Sequence, residues 1–168
     1  MSETATRELV IREIGAHEFA RIWPIFRTVI ASADTYSYPP DLRMEQACAM
    51  WTTPPSRCFV AERDGEVLGC YMLRPNQAGP GDHVANCGYM VAPSARGQGI
   101  AGAMCEHSLA QARRAGFSAM QFNSVVATNT NAVRLWQRHG FAIVGTVPGA
   151  FRHATFGPTD IHIMFRTL

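Results

Sequence analysis

A glycine-rich segment, Arg96-Gly97-Gln98-Gly99-Ile100-Ala101, lies between an apolar run and a longer pattern of helical periodicity. The start of a helix presents backbone N–H groups that have no intrahelical partner, together with the positive end of the helix dipole, and so it binds anions. Gly97 and Gly99 let a bulky diphosphate approach the backbone without meeting a Cβ atom, and Arg96 offers a charge-assisted hydrogen bond. The segment therefore predicts a phosphate site, and the alternative is a tight strand-to-helix turn.

Two better-known phosphate motifs fit this segment less well. A P-loop ends in Gly-Lys-Ser/Thr, which the sequence does not contain at this place. Residues 97–102 do have the spacing GxGxxG of a dinucleotide fingerprint, but that fingerprint also requires an Asp or Glu about 20 residues further on, and the sequence has none between Glu106 and Asp160. The segment therefore indicates a phosphate ligand of another kind.

A second segment begins with a helix-starting asparagine, Asn129, and runs through Trp136 to a closing Gly140-Phe141. Together with Tyr89-Met90-Val91 and the glycine-rich segment, it resembles the two acyl-CoA signatures of the GNAT superfamily of N-acetyltransferases. A predicted helix and strand separate the two signatures, as in that family. The resemblance implies an acetyl-CoA-dependent N-acetyltransferase, with acetyl-CoA as the acyl donor and direct transfer in a ternary complex.

The resemblance also implies which residues bind acetyl-CoA. Backbone groups at the end of the strand would pair with the pantetheine arm, and an N–H near Met90 would face the thioester oxygen. Backbone N–H groups of the glycine-rich segment would hold the pyrophosphate, and the side chain of Trp136 would pack beside the arm. The expected cofactor-binding residues are Met90, Val91, Arg96, Gly97, Gln98, Gly99, Ile100, Ala101, Asn129, Ala132 and Trp136.

Two positions depart from the family's pattern. Trp136 stands where many members have a tyrosine that protonates the departing thiolate, and an indole N–H is no acid near neutral pH. Asn86 stands where many members have a glutamate base, and an amide is no base. Deprotonation of the substrate then needs Asp82, His83 or a water chain, or it needs no base because a well-positioned amine reacts through its free fraction.

Asparagines on two predicted strands flank the expected cofactor gap, and they indicate a small polar substrate such as an amino acid. Asn86 and Asn123 are expected to bind its carboxylate, although each fits the end of a strand equally well. Residues 34–39 and 123–129 resemble the subgroup that acetylates L-azetidine-2-carboxylate and related imino acids. The expected catalytic residues are Asn86, Asn123 and Asn129, and the expected substrate-binding residues are Tyr36, Tyr38, Asn86 and Asn123.

Two alternative functions remain open at this point. One is acetylation of another primary amine, as in the phosphinothricin-like or methionine-sulfoximine-like acetyltransferases. The other is a non-catalytic module that senses acyl-CoA, because Trp136 and Asn86 replace the usual acid and base. Turnover on a panel of amines and imino acids separates the two.

Composition narrows the remaining classes. A formal net charge of +2 with scattered basic residues argues against nucleic acid as a partner. The five cysteines include no CxxC pair, so we expect buried reduced thiols and no metal site. Residues 1–12 lack an apolar core and no run is long enough to cross a membrane, so we expect a cytoplasmic protein. A homodimer through residues 141–168 is expected from family habit.

Apolar periodicity and turn residues predict the elements that position these residues. Strands are predicted at 8–14, 57–62, 66–73, 83–91, 119–126, 141–147 and 160–166. Helices are predicted at 17–31, kinked or split by Pro24, at 41–51 with Asp41 as N-cap, at 97–115 and at 129–139. The order predicts one α/β domain over residues 1–168: a mixed, mostly antiparallel sheet of about seven strands. As the resemblance implies, the sheet splays at the acyl-CoA site and about four helices flank it.

Overall fold

The computed structural model describes residues 8–168, so the first seven residues of the expected leaderless N-terminus lie outside the described part. The strands are β1 (Val10–Ile14), β2 (Arg57–Arg63), β3 (Glu66–Pro75), β4 (Val84–Val91), β5 (Ala119–Val126), β6 (Ala142–His153) and β7 (Gly157–Thr167). The α-helices are α1 (Trp23–Ser32), α2 (Met44–Thr52), α3 (Ile100–Arg114) and α4 (Thr130–Arg138). Short 3-10 helices cover Ala16–Arg21, Gly79–Gly81 and Pro93–Ala95.

The seven strands form one sheet in the order β1-β2-β3-β4-β5-β7-β6. Every neighbouring pair is antiparallel except β4 and β5, which are parallel. The predicted mixed, mostly antiparallel sheet with flanking helices is confirmed.

The backbone hydrogen bonding of the sheet is interrupted between the parallel strands β4 and β5. Backbone pairing between β4 and β5 is confined to Val84 with Ala119 and Ala85 with Met120, although both strands are eight residues long. Beyond Ala85 the two strands therefore diverge, and a gap opens toward the C-terminal end of β4.

Helices cover both faces of the sheet. On one face α3 lies against β3, where a Cβ at Gly69 would stand 2.9 Å from the Met104 side chain, so only glycine admits the helix so closely. On the other face α1 and α2 pack through Phe26 and Trp51, whose rings meet edge to face at 5.0 Å. Both layers belong to one cluster of buried apolar side chains.

The first helical region is split as Pro24 predicts. A 3-10 helix ends at Arg21, and α1 begins at Trp23 with Pro24 in its first turn, where the missing N–H costs no intrahelical hydrogen bond. The predicted N-cap at Asp41 is wrong. The chain makes a turn there, closed by the Leu42 N–H to the Pro39 oxygen, and α2 starts only after Arg43, whose N–H donates to the Gln46 side chain.

Two hairpins of the sheet, β2–β3 and β6–β7, compare differently with the prediction. Asp64 and Gly65 both have positive φ, of 54° and 80°, and form the predicted hairpin between β2 and β3. The β6–β7 hairpin is longer than predicted, because the sheet continues through the bulge at Pro148-Gly149 instead of ending there. The Asp160 carboxylate accepts the Gly149 N–H in this bulge.

The tip of the β6–β7 hairpin contacts the end of α1. The Ala154 N–H donates to the Ala33 oxygen at 3.0 Å, just after the end of α1. This hydrogen bond joins the β6–β7 hairpin to the first residue of the loop between α1 and α2, residues 33–43. None of the helices in residues 8–168 has the length and apolar character that a membrane span requires.

Candidate active site

The glycine-rich segment connects β4 to α3 at the open end of the gap. Gly97 and Gly99 have φ of 76° and 79°, in the left-handed region where a side chain is strained. A Cβ at either position would meet no heavy atom within 4 Å. The glycines are therefore required by backbone conformation, and they leave open space above the loop.

The start of α3 leaves a set of N–H groups unpaired. The first hydrogen bond of the helix runs from Ala103 N–H to the Gly99 oxygen, so the N–H groups of Ile100, Ala101 and Gly102 lie ahead of the ladder. Together with the open space this arrangement fits a diphosphate. The residues present are therefore compatible with the pyrophosphate of acetyl-CoA.

Three side chains of the glycine-rich segment differ in whether they can contact a ligand in the open space. Arg96 is exposed and extends from the loop. The Gln98 amide donates to the Ser94 oxygen at 3.1 Å and so folds back onto the segment. Ile100 is buried against Gly69, so only its backbone faces the open space.

The backbone direction of β4 corrects the expectation for Met90. The N–H of Asn76 donates to the Val84 oxygen, and the N–H of Ala92 donates to the Leu68 oxygen. The backbone N–H and C=O groups of the even-numbered residues of β4 therefore point at β3. Because backbone groups alternate along an antiparallel pair, the N–H of Met90 is directed at β3 and not at the gap. The odd-numbered residues Tyr89 and Val91 direct their N–H groups toward the gap, where β5 no longer pairs with them.

Tyr36, in the loop between α1 and α2, contacts the gap from the face of the sheet opposite to α3. Its hydroxyl donates to the Tyr89 oxygen at 2.9 Å, the backbone group that β5 would otherwise satisfy. A Cβ at Gly88 would stand 2.8 Å from this hydroxyl, so glycine at this position permits the contact. Burial raises the pKa of Tyr36 well above its ordinary value, so the phenol stays protonated and acts as a donor.

Tyr38 is held in a different way from Tyr36. Its ring stacks on Tyr36 at 5.4 Å and on Phe26 at 5.6 Å. Its hydroxyl accepts the Trp51 indole N–H at 3.1 Å. Tyr38 therefore supports the position of Tyr36, and its hydroxyl already has a protein partner.

Trp136 packs between the diverging strands on the α3 side. Its ring lies 4.9 Å from the Tyr89 ring and 5.1 Å from the Phe122 ring, and 8% of the residue is exposed. The Tyr89 hydroxyl bonds to Ser108 at 2.7 Å. The aromatic cluster gives the gap an apolar wall where the resemblance places the pantetheine arm.

Asn129 caps α4. Its side-chain oxygen accepts the Ala132 N–H at 3.4 Å, so the oxygen has a structural role. The Asn129 amide nitrogen has no hydrogen-bond partner within residues 8–168, so it is available to contact a cofactor. Ala132 contributes the capped N–H and a half-buried methyl group.

The structure links Asn86 to Asn123 through a residue that the sequence reasoning missed. The Asn86 amide nitrogen donates to the Gln121 backbone oxygen at 2.9 Å, one residue past the last backbone pair of β4 and β5. The Gln121 amide donates to the Asn123 oxygen at 2.9 Å, and Asn123 donates to the Asn76 oxygen at 2.7 Å. Gln121 and Asn123 are two positions apart on one strand, and this spacing places both side chains on the same face. That spacing is the signal in the sequence that could have identified Gln121.

A general base is missing from the strands that line the gap. β4 reads VANCGYMV and β5 reads AMQFNSVV, so neither carries a carboxylate or an imidazole. Asp82 and His83 are exposed and precede β4 at the end where the strands are still paired. Burial raises the pKa of Cys87 to about 12, so this thiol stays protonated. The site offers hydrogen-bond donors and acceptors, and positioning is the chemistry that it supports.

Other candidate chemistry is scarce in residues 8–168. The five cysteines are free, and four of them are buried. In the described part of the chain, no three potential metal ligands among His, Cys, Asp and Glu come together.

Comparison with known proteins agrees with this geometry. The model of the Acetyltransferase (GNAT) family matches residues 19–141. The N-acetyltransferase aca1 of Schizosaccharomyces pombe is 38% identical over 86 residues, which are 51% of this chain and 41% of that protein. The match thus spans less than half the length of this curated relative.

Solved structures extend the comparison to nearly the full chain. A GCN5-related N-acetyltransferase from Kribbella flavida is 46% identical, with a TM-score of 0.91 over 95% of this chain and 98% of that one. The structure of yncA from Salmonella typhimurium with its cofactor acetyl-CoA is 19% identical, with a TM-score of 0.85 over 96% and 94% of the two chains. The second comparison shows a shared fold.

Proposed function

The chain belongs to the Acetyltransferase (GNAT) family, and from this premise we propose that it is an acetyl-CoA-dependent N-acetyltransferase for a small amino or imino acid. The observation that carries the proposal is the gap between β4 and β5, which opens beyond Ala85 toward the unpaired N–H groups at the start of α3. A phosphate-binding loop at one end of an apolar-walled gap fits an acyl-CoA thioester.

The proposed cofactor site follows the gap. The N–H groups at 97–101 hold the pyrophosphate, with Arg96 beside them. The backbone groups of Val91 pair with the pantetheine arm, and Trp136 packs beside it. Acetyl-CoA supplies an activated acetyl group at the sulfur end of that arm.

The chain's residues then act on the acetyl carbonyl and the amine. The Tyr89 N–H lies in the gap with no partner on β5, so it is placed to stabilise the oxyanion, an interaction worth roughly 2.7–4 kcal/mol in the transition state. As the amine nitrogen bonds to the acetyl carbon, the carbon–sulfur bond breaks. The amine proton passes to water, and the released thiolate takes a proton from water, because neither β4 nor β5 carries an ionisable carboxylate or imidazole.

The substrate class is supported by the amides on β4 and β5. Asn86 and Asn123 are neutral, and they suit a ligand that brings its own charges. L-azetidine-2-carboxylate and related imino acids are the substrates that the subgroup resemblance favours. Tyr36, placed over Gly88 at the edge of the gap, limits the acceptor to a small molecule.

A homodimer is a further part of the proposal. β6 is one of the two edge strands of the sheet and exposes Ile143, Val144 and Val147. Exposed apolar edge strands pair with other chains. A cytoplasmic location is also proposed, on the ground that free cysteines persist in reducing compartments.

The test is CoA release with purified protein, acetyl-CoA and a panel of L-azetidine-2-carboxylate, L-proline, L-alanine, L-methionine sulfoximine and the amines azetidine and ethylamine. We expect turnover on at least one acceptor that carries a carboxylate, with the N-acetyl product identified by mass spectrometry. Preference for methionine sulfoximine over the two imino acids would support the primary-amine alternative. Acetyl-CoA binding by calorimetry without turnover on any acceptor would contradict catalysis and support a sensor.

A further inference from the structure

Four amide residues on the face of the sheet that Gly88 shares form a hydrogen-bonded group, the amide cluster: Asn76, Asn86, Gln121 and Asn123. Asn86 donates to the Gln121 backbone, and the other three are joined through their side chains. The orientation of Asn86 is fixed by chemistry, because its partner is a backbone carbonyl, which only accepts. The Asn86 amide nitrogen is therefore committed to β5, and its side-chain oxygen remains as an acceptor. Asn86 is 8% exposed, so this acceptor is partly desolvated.

The other three members form a directional chain. Gln121 donates to Asn123, and Asn123 donates to Asn76. Asn123 uses both its oxygen and its nitrogen, so it bridges its neighbours. The chain ends in a side-chain oxygen on Gln121 and in an amide nitrogen on Asn76, and neither atom has a partner in residues 8–168.

Arg74 adds a positive charge beside the amide cluster. It lies directly opposite Asn86 in the β3–β4 register, and opposed residues of an antiparallel pair share a face with Cβ atoms about 5 Å apart. It also shares that face with Asn76, two residues along the chain. Arg74 is exposed and makes no hydrogen bond or ion pair within residues 8–168.

We propose that Arg74 and the amide cluster form the acceptor site and select a substrate that carries an amine and a carboxylate together. Arg74 and the Asn76 amide nitrogen bind the carboxylate, and the oxygens of Asn86 and Gln121 accept hydrogen bonds from the amine. This inference rests on the proposed N-acetyltransferase function. It moves carboxylate binding from Asn86 and Asn123 to Arg74 and Asn76, since the available atom of Asn86 is an acceptor that repels a carboxylate.

The size of the site follows from strand geometry. Asn86 and Gly88 are two residues apart on one face of β4, which is about 7 Å. The Tyr36 hydroxyl covers Gly88 and donates to the Tyr89 oxygen. An amino acid with a small side chain or ring fits between Tyr36 and the amide cluster, with its amine directed at the gap.

The experiment compares acceptors that differ only in the carboxylate, L-azetidine-2-carboxylate and azetidine, in wild type, Arg74→Met and Asn76→Ala. Hydrogen bonds to charged groups are the stronger class, so we expect Arg74→Met to lower kcat/KM for the carboxylate acceptor at least tenfold. Azetidine turnover and the KM for acetyl-CoA should change less than twofold. Asn76→Ala should act in the same direction with a smaller effect.

Two matched controls remove neighbouring groups of the same kind. Arg27→Met removes an exposed arginine on α1, and Gln77→Ala removes the amide next to Asn76; neither side chain is hydrogen-bonded within residues 8–168. Both should leave the ratio of the two acceptors unchanged. Equal losses on both acceptors in Arg74→Met, or no loss on either, would overturn the inference while leaving acetyl transfer established.

A binding measurement separates this inference from the proposed function. With CoA present, ¹⁵N spectra of the wild type should show the Asn76 side-chain amide shifting on addition of L-azetidine-2-carboxylate and not of azetidine. If neither acceptor is acetylated but the shift occurs, the proposed function fails and the carboxylate site stands. If acetylation occurs without the shift, the carboxylate site fails and the enzyme stands.

Discussion

At the residue scale, the site replaces ionisable groups by hydrogen-bonding and apolar ones. Asn86 stands where the family resemblance places a glutamate, and its amide closes the pairing of β4 and β5. Trp136 stands where it places a tyrosine, and its ring fills space between Tyr89 and Phe122. Both substitutions were visible in the sequence, but their contacts required the fold. The residues around them hold the reactants in place and transfer no proton.

This replacement makes the rate depend on the ionisation of the substrate. The amine reacts as the free base, so kcat/KM for an imino acid should rise about tenfold per pH unit until the pKa of its own amine. Burial holds the pKa of Tyr36 and of Tyr89 well above the ordinary tyrosine value and that of Cys87 at about 12, so these groups stay protonated below pH 9. Initial rates from pH 6 to 9.5 measure the profile.

The control for this profile is a second acceptor with a different amine pKa. The bend in the profile should move with the acceptor. A bend between pH 6 and 8 that stays in place for both acceptors would reveal an enzyme base and contradict the account.

At the element scale, the sequence predicted most of the strands and helices because their apolar periods are clear. The strand at 119–126 matched in full, and Gly140 follows the end of α4. The bounds of two elements, α2 and β6, differ from the prediction for physical reasons. Asp41 is used in a turn closed by backbone bonds, and β6 passes through Pro148-Gly149 because a bulge absorbs the two residues. Tertiary contacts decided both, and single-residue preferences do not include them.

The site was predicted less completely than the elements. The glycine-rich segment is recognisable because its chemistry is local. Met90 was named for its backbone N–H and Tyr89 was not, because the direction of a backbone N–H depends on strand register, which a sequence does not state. Asn76 and Gln121 were missed because their meeting depends on the divergence of β4 from β5.

Two glycines at opposite ends of α3 test the phosphate loop. Gly99 and Gly116 have φ of 79° and 87°, and a Cβ at either would meet no atom within 4 Å. Alanine should therefore cost each about 1–2 kcal/mol of stability from the left-handed backbone alone. Only Gly99→Ala should also weaken acetyl-CoA binding, by at least tenfold, because it disturbs the N–H groups that hold the diphosphate.

Urea unfolding and acetyl-CoA calorimetry on both variants measure these two effects. Gly116→Ala is the matched control for backbone strain. An equal affinity in both variants would place the pyrophosphate elsewhere.

At the scale of the whole molecule, the sheet formed by residues 8–168 has two edge strands of unlike character. β1 is short and its neighbourhood carries the ion pairs of Arg12 with Glu18 and Glu62. β6 is long, and Val144 on it is 60% exposed. Apolar edge strands are open to pairing, so we expect association through β6.

A charge on each edge tests the association. Val144→Lys should convert a dimer of the 18.4 kDa chain to a monomer in light scattering. Val10→Lys, on the opposite edge and 48% exposed, should leave the dimer intact. A monomeric wild type, or equal dissociation in both variants, would contradict a dimer through β6.

The central claim is that acetyl-CoA inserts between β4 and β5 and pairs with backbone groups that β5 leaves unsatisfied. Amide hydrogen exchange measured by NMR, with and without saturating acetyl-CoA, tests it most directly. The Tyr89 and Val91 amides should become protected at least tenfold, while the Met90 amide, directed at β3 in both states, should change little. Saturation with acetyl-CoA that leaves the exchange of Tyr89 and Val91 unchanged would contradict the account.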